Sequence, residues 1–231
     1  MVLGGLQRTS LIDYPESVSC VVFTVGCNMA CGYCHNPELS KPVQPIRTGF
    51  TEEMFFDFLK ERVGKLEAVV ITGGEPTIHD DLPEFIKKIK EMGFKVKLDS
   101  QGTRPEMLED LLDKKLLDYV AMDIKAPYER YQEVSVSLVD PKIIEKSIKL
   151  IMNKAPAYEF RTTTVKDQLG SEDFEKIGQM IKGAPFYALQ KFVSAGKTLD
   201  PKFENRESYT DQEMNYFKGI MEKYVKKVVV R

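Results

Sequence analysis

Apolar positions along this chain follow two periods that take turns. The run 18–25 ("VSCVVFTV") predicts a strand, because β-branched and aromatic residues suit a pleated, half-buried surface. Met54, Phe55, Phe58 and Leu59 then recur at helical spacing, which predicts a helix from Thr51 to about Arg62. Thr51 is placed to cap it, with Glu52 and Glu53 in its first turn. "EAVVITGGEP" reads as a buried strand ending in glycines, and 81–92 as a helix closed by Gly93. "FKVKLDS", "LDYVAMDIK", "YEFRTTTV" and "PFYALQKFV" predict four more strands. Helices are predicted over 104–114, over 140–153 with Pro141 first, over 171–182 opened by Ser171, and over 210–225, with a turn or short helix at 127–131. The stretch before residue 18 reads as irregular, and the tail "KKVVVR" leaves a further short strand open.

Six β–α units in succession predict a parallel sheet covered by helices. That is fewer than a closed barrel needs, so a curved three-quarter barrel and a flat doubly wound sheet both fit the pattern. No repeat or low-complexity segment interrupts it, and "KPVQPIRTG", with Pro42 and Pro45, reads as a loop inside a single domain spanning 1–231.

Composition narrows the function classes. The net charge of −2 predicts no pull toward nucleic acid. Lys87, Lys88 and Lys90 alternate with Ile86 and Ile89, as on the wet face of a helix. No run approaches the ~18 apolar residues of a membrane span, and no basic start precedes a long apolar stretch. A cytoplasmic chain without nucleic-acid or membrane partners is expected. Four cysteines do not make a disulfide framework, and three of them fall within "GCNMACGYCHN", which suits a metal or redox site in a reducing compartment. Cys20 stands apart and reads as a small apolar residue of the first strand.

Three close thiolates, Cys27, Cys31 and Cys34, could serve zinc or an iron–sulfur cluster. Structural zinc closes its shell with four protein ligands. His35 is adjacent to Cys34 and awkwardly placed to share one ion with it. Cys20 lies seven residues before Cys27, roughly 23 Å along an extended chain, unless the chain reverses. A cubane held by three cysteines instead leaves one iron open to a ligand.

"CNMACGYC" resembles the C-x3-C-x-aromatic-C signature of radical S-adenosylmethionine (SAM) enzymes, with Tyr33 at the aromatic position. "TGGEP" resembles the glycine-rich strand end that binds the methionyl amine of SAM in that family, which implicates Gly73, Gly74 and Glu75. The paired glycines would let backbone carbonyls approach the ligand. "LDSQGT" and "MDIKA" look like the DTNG and DLK segments of glycyl-radical-enzyme activases, giving Asp99, Ser100, Asp123 and Lys125. In some of those activases the two aspartates hold a monovalent cation beside the SAM carboxylate and the lysine reaches the ribose. Arg161 matches a strand arginine that contacts SAM or substrate. His79 and Asp80 read as a helix start capped by Asp80.

The resemblance implies a partial (β/α)6 TIM-like barrel holding a 4Fe–4S cluster and SAM. "TSLIDYP", "VVFTVGC", "CHNPEL" and "LQKFVSAGKTLDP" are similar to the activating proteins of anaerobic ribonucleoside-triphosphate reductase. The implied partners are a glycyl-radical enzyme and an electron donor such as flavodoxin or ferredoxin. The alternatives are another glycyl-radical enzyme or a small-molecule substrate, as in 7-carboxy-7-deazaguanine synthase. Two departures bear on the partner: "DYPE" stands where many activases have DGPG, and the end of the sixth strand lacks a histidine that some carry.

Overall fold

The computed structural model describes residues 1–40, 49–194 and 196–231. The predicted loop carrying Pro42 and Pro45 lies outside the described residues. The chain opens with β1 (Leu3–Ser10), antiparallel to β2 (Ser19–Thr24). The sequence reads as irregular where β1 lies. Gly4 and Gly5 break the apolar pattern there, and this edge strand buries only its two ends, Leu3 and Ser10.

After the one-turn α1 (Pro37–Ser40), α2 (Glu52–Lys60) leads to β3 (Ala68–Gly73), and α3 (Leu82–Glu91) to β4 (Lys95–Ser100). Next come α4 (Pro105–Asp113), β5 (Tyr119–Asp123), α5 (Tyr131–Ser135), α6 (Pro141–Lys154) and β6 (Tyr158–Thr164). The chain ends with α7 (Ser171–Met180), β7 (Tyr187–Lys191), α8 (Asp211–Met221) and β8 (Val228–Val230). β2 to β8 are parallel and lie in chain order, so the tail does add a strand.

Capping chemistry sets several boundaries. The Thr51 hydroxyl accepts from the Met54 amide at 3.2 Å, and Asp140 accepts from the Lys142 amide at 3.0 Å. Thr210 and Glu213 bond each other reciprocally at the start of α8. Ser171 opens α7 as expected, and the amide of its cap, Gly170, donates to Asp173 at 2.9 Å. One expected cap is corrected. Asp80 does not cap α3. The helix starts after Asp81, and Asp80 instead lies 3.5 Å from Arg104.

Period-2 alternation gives the sheet two unlike faces. Cys20, Val22, Val69, Ile71, Val96 and Leu98 belong to the main core under the helices. The opposite face holds a smaller apolar cluster, Tyr14, Val21, Ala68 and Val70, beside the charged Lys97, Asp99, Glu159 and Arg161. Lys97 on β4 and Arg231 just past β8 line one open cavity of ≈ 920 Å³. In a flat sheet four strand spacings, roughly 19 Å, would separate them, so the sheet curves toward its charged face.

Candidate active site

The C-terminal ends of β2 to β6 surround an open cavity of ≈ 640 Å³. Every residue that the sequence nominates lines it. Cys27, Cys31, Tyr33 and Cys34 come from the loop after β2; Gly73, Gly74 and Glu75 from the end of β3. Asp99 and Ser100 end β4, Asp123 and Lys125 end β5, and Arg161 lies within β6. His79 and Asp80 are not among the lining residues.

The cysteine loop is fixed from two sides. The Ala30 amide donates to the Ser135 carbonyl at the end of α5 (3.0 Å), and the Cys31 thiol lies 3.7 Å from the same oxygen. The segment 198–203 closes the other side. Leu199 and Asp200 amides donate to the Cys34 and Gly32 carbonyls at 3.1 and 2.9 Å, and Phe203 meets the Tyr33 ring edge-on at 6.2 Å. Burial pushes the Cys27 thiol up to about 11, and raises Cys31 although Lys125 works against it. Metal binding at these thiols would therefore release protons.

The glycines have a structural task besides lining the cavity. A Cβ on Gly73 would stand 2.3 Å from the Thr24 amide nitrogen, and one on Gly74 1.9 Å from the Gly26 carbonyl. They let the end of β3 press against the backbone leading to Cys27, with Gly73 at φ +121°. Glu75 is buried and accepts four hydrogen bonds, from the Thr77 amide (3.1 Å) and hydroxyl (2.5 Å), the Ser100 hydroxyl (2.8 Å) and the Gln101 amide (2.8 Å). Burial raises its carboxyl, and these donors oppose the rise.

A ladder of charges crosses three strands. Lys97 donates to Asp99 (2.7 Å), Arg161 to Asp99 (2.9 Å) and Asp123 (2.8 Å), and Lys125 to Asp123 (3.1 Å). Burial, the largest single effect, would raise both aspartates, but Arg161 and Lys97 together outweigh it at Asp99, and Arg161 and Lys125 together at Asp123. Both carboxyls lie below the ordinary range. Burial would lower Lys125, and Asp123 holds it well above its usual value instead. Lys125 and Arg161 are the cationic groups this wall presents to the cavity, beside Glu75, Asp99 and Asp123, while Lys97 lies behind it.

Sequence reasoning missed Lys97, Gln101 and Leu199. Gln101 lines the cavity, donates to Asn28 at 2.5 Å and lies 3.9 Å from the Cys27 sulfur. The period-2 signal from Lys97 to Asp99 was there to be read, since it puts both on one face. No periodicity marks Leu199.

Comparison with known proteins decides the family. The Radical SAM superfamily model matches residues 21–177. The chain belongs to the radical SAM superfamily. A Methanocaldococcus jannaschii relative provisionally named a glycyl-radical enzyme activating enzyme is 36% identical, covering 100% of this chain and 95% of its own. The 7-carboxy-7-deazaguanine synthase of Thermococcus kodakarensis is 26% identical over 68% of each chain. Among solved structures, Streptococcus suis SuiB bound to S-adenosylmethionine matches with a TM-score of 0.65 at 13% identity, over 91% of this chain and 51% of that one. The curved, open sheet is thus the partial barrel of radical SAM enzymes.

The donor set of this radical SAM chain fits a three-cysteine cluster. Cys20 is buried in the core under the helices, and His35 is exposed and stacks on Phe192 at 4.9 Å, so neither offers a fourth ligand at the cavity. Among the described residues no three Cys, His, Asp or Glu converge as ligands of one ion would. Three thiolates on a cubane bind three different irons, so they stand farther apart than the ligands of one ion.

Proposed function

We propose that this radical SAM protein is a glycyl-radical-enzyme activase, acting in the cytoplasm as a single domain over 1–231, with anaerobic ribonucleoside-triphosphate reductase as its partner. Cys27, Cys31 and Cys34 would hold a 4Fe–4S cluster. Tyr33, Gly73, Gly74, Glu75, Asp99, Ser100, Asp123, Lys125 and Arg161 would frame SAM. When bound, these groups supply one-electron cleavage of SAM to methionine and a 5′-deoxyadenosyl radical, which takes a hydrogen from a glycine α-carbon of the partner. An electron donor such as flavodoxin or ferredoxin would provide the electron.

The protein's own part is placement. Ser135 and segment 198–203 hold the thiols at one wall, and the charge ladder forms the other. Glu75 ties the end of β3 to the end of β4, so the glycine turn cannot drift from the cysteine loop. Fixed groups of this kind orient a ligand without reorganising as it reacts.

The chemistry rests on one observation: three thiols share a cavity with Asp99, Asp123, Lys125 and Arg161, and among the described residues neither Cys20 nor His35 joins them. The activase reading is supported by the full-length similarity to the Methanocaldococcus jannaschii relative. The Thermococcus kodakarensis match favours a second reading, radical chemistry on a small molecule.

The test is anaerobic. Reconstituted, reduced protein is mixed with SAM and the reductase of the same host, and the spin-resonance spectrum is recorded. A glycyl doublet on the reductase, lost with Cys31→Ala, is expected. SAM cleavage without a doublet would remove this partner and turn the search to other glycyl-radical enzymes and small molecules.

A further inference from the structure

Every carboxylate oxygen of the two aspartates that the resemblance assigns to a monovalent cation already faces a cationic nitrogen. Asp99 Oδ1 accepts from Lys97 and Oδ2 from Arg161; Asp123 Oδ1 accepts from Arg161 and Oδ2 from Lys125. All four contacts lie between 2.7 and 3.1 Å, and each joins a carboxylate oxygen to a cationic nitrogen. The Arg161 guanidinium sits between the carboxylates and donates to both, through Nε and Nη1. Its side chain is only 11% exposed. An alkali ion bridging the pair needs these same oxygens. It would have to sit against three cationic side chains that already neutralise the pair, or displace the buried guanidinium and leave it unpaired, and both are unfavourable.

We propose that Arg161 takes the place of a monovalent cation in this chain, so that the site neutralises its aspartate pair internally and binds its ligand independently of K⁺ and Na⁺. The positive charge that an alkali ion would lend a carboxylate ligand is already present at the cavity as Arg161 and Lys125. Arg161 is here a positioning residue: it holds Asp99 and Asp123 side by side, which like charges would resist.

The choice of SAM as ligand rests on the function proposed above; the cation question does not. The reduced, cluster-free protein is melted in KCl, NaCl and tetramethylammonium chloride at equal ionic strength. The same melting temperature is expected in all three, and a rise specific to K⁺ or Na⁺ would overturn the inference. SAM binding to the reconstituted protein, measured by calorimetry, should agree within about twofold across the salts. Tightening by about tenfold in an alkali salt would also overturn it. Loss of SAM binding in every salt would count against the functional reading alone, leaving the melting comparison to judge the cation. Arg161→Met opens the aspartate pair. Its melting temperature should rise with K⁺, and a folded variant indifferent to K⁺ would show that the guanidinium does not stand in a cation's place.

Discussion

Glu75 carries four hydrogen bonds in a place where water does not reach, and this makes it a joint rather than a free charge. The Glu75→Gln variant keeps the shape and replaces one acceptor oxygen by an amide donor, which then faces another donor. Such a mismatch costs about 2–3 kcal/mol, and urea unfolding should report it as a lower midpoint. Ser100→Ala, which removes a donor to Glu75 and the acceptor of the Gly102 amide (3.0 Å), should cost about 1–2 kcal/mol. An unchanged midpoint for Glu75→Gln would show that the carboxylate is solvated and not a joint. The sequence nominated Glu75 by its neighbours Gly73 and Gly74, but as a charge beside a ligand. Its role was hidden because its partners, Thr77, Ser100 and Gln101, come from two different strand ends. The glycines were legible as a requirement for missing side chains. What they make room for, the backbone of Thr24 and Gly26, is a contact no linear pattern encodes.

Segment 198–203 acts as a strap over the cysteine loop. It has no periodic pattern, so the sequence marked it only by resemblance. Its physical task becomes visible once Leu199 and Asp200 are seen bonded to the loop's carbonyls. The contact is tight at Gly32, where an added Cβ would lie 2.5 Å from Phe203 Cε2. Gly32→Ala should therefore force the strap outward, destabilising the protein by about 1–3 kcal/mol and lowering the iron retained after desalting of reconstituted protein. The cycle with Phe203→Ala isolates the cause. Where Phe203 is already truncated, Gly32→Ala should cost at least ~1 kcal/mol less. Strict additivity would mean that the alanine disturbs the loop by another route. The strands and long helices were readable because Val, Ile and Phe runs alternate with helical spacing. β1 was not, because an edge strand with two glycines and two buried ends leaves no apolar period to detect.

At the scale of the whole molecule, the two faces of the sheet divide the tasks of stability and function. A closed barrel fills its interior with layered branched side chains. Here the helix-covered face does that packing, while the inner face carries Lys97, Asp99, Glu159, Arg161 and Arg231, and Arg231 pairs with Glu159 at 3.0 and 2.9 Å. An interior of this kind makes stability depend on acid. Asp99 and Asp123 are both held below the ordinary carboxylate range in the folded protein by Arg161 and the flanking lysines, against the opposing effect of burial. A depressed folded value means that the stabilisation is present above the unfolded value of ~3.9 and is lost as pH falls toward the folded one. Asp123→Asn leaves Arg161 with Asp99 alone and Lys125 without a carboxylate, and should cost about 3 kcal/mol at pH 7. Below pH ~4 the wild type should lose ground on the variant by up to about 1.4 kcal/mol per pH unit, because only the wild type must take up a proton at this position to match its unfolded chain. Urea unfolding of both proteins at pH 7, 5 and 3 measures the gap. It should be equal at the first two values and smaller at the third; a gap that does not change with pH would mean that Asp123 is not held ionised by the ladder.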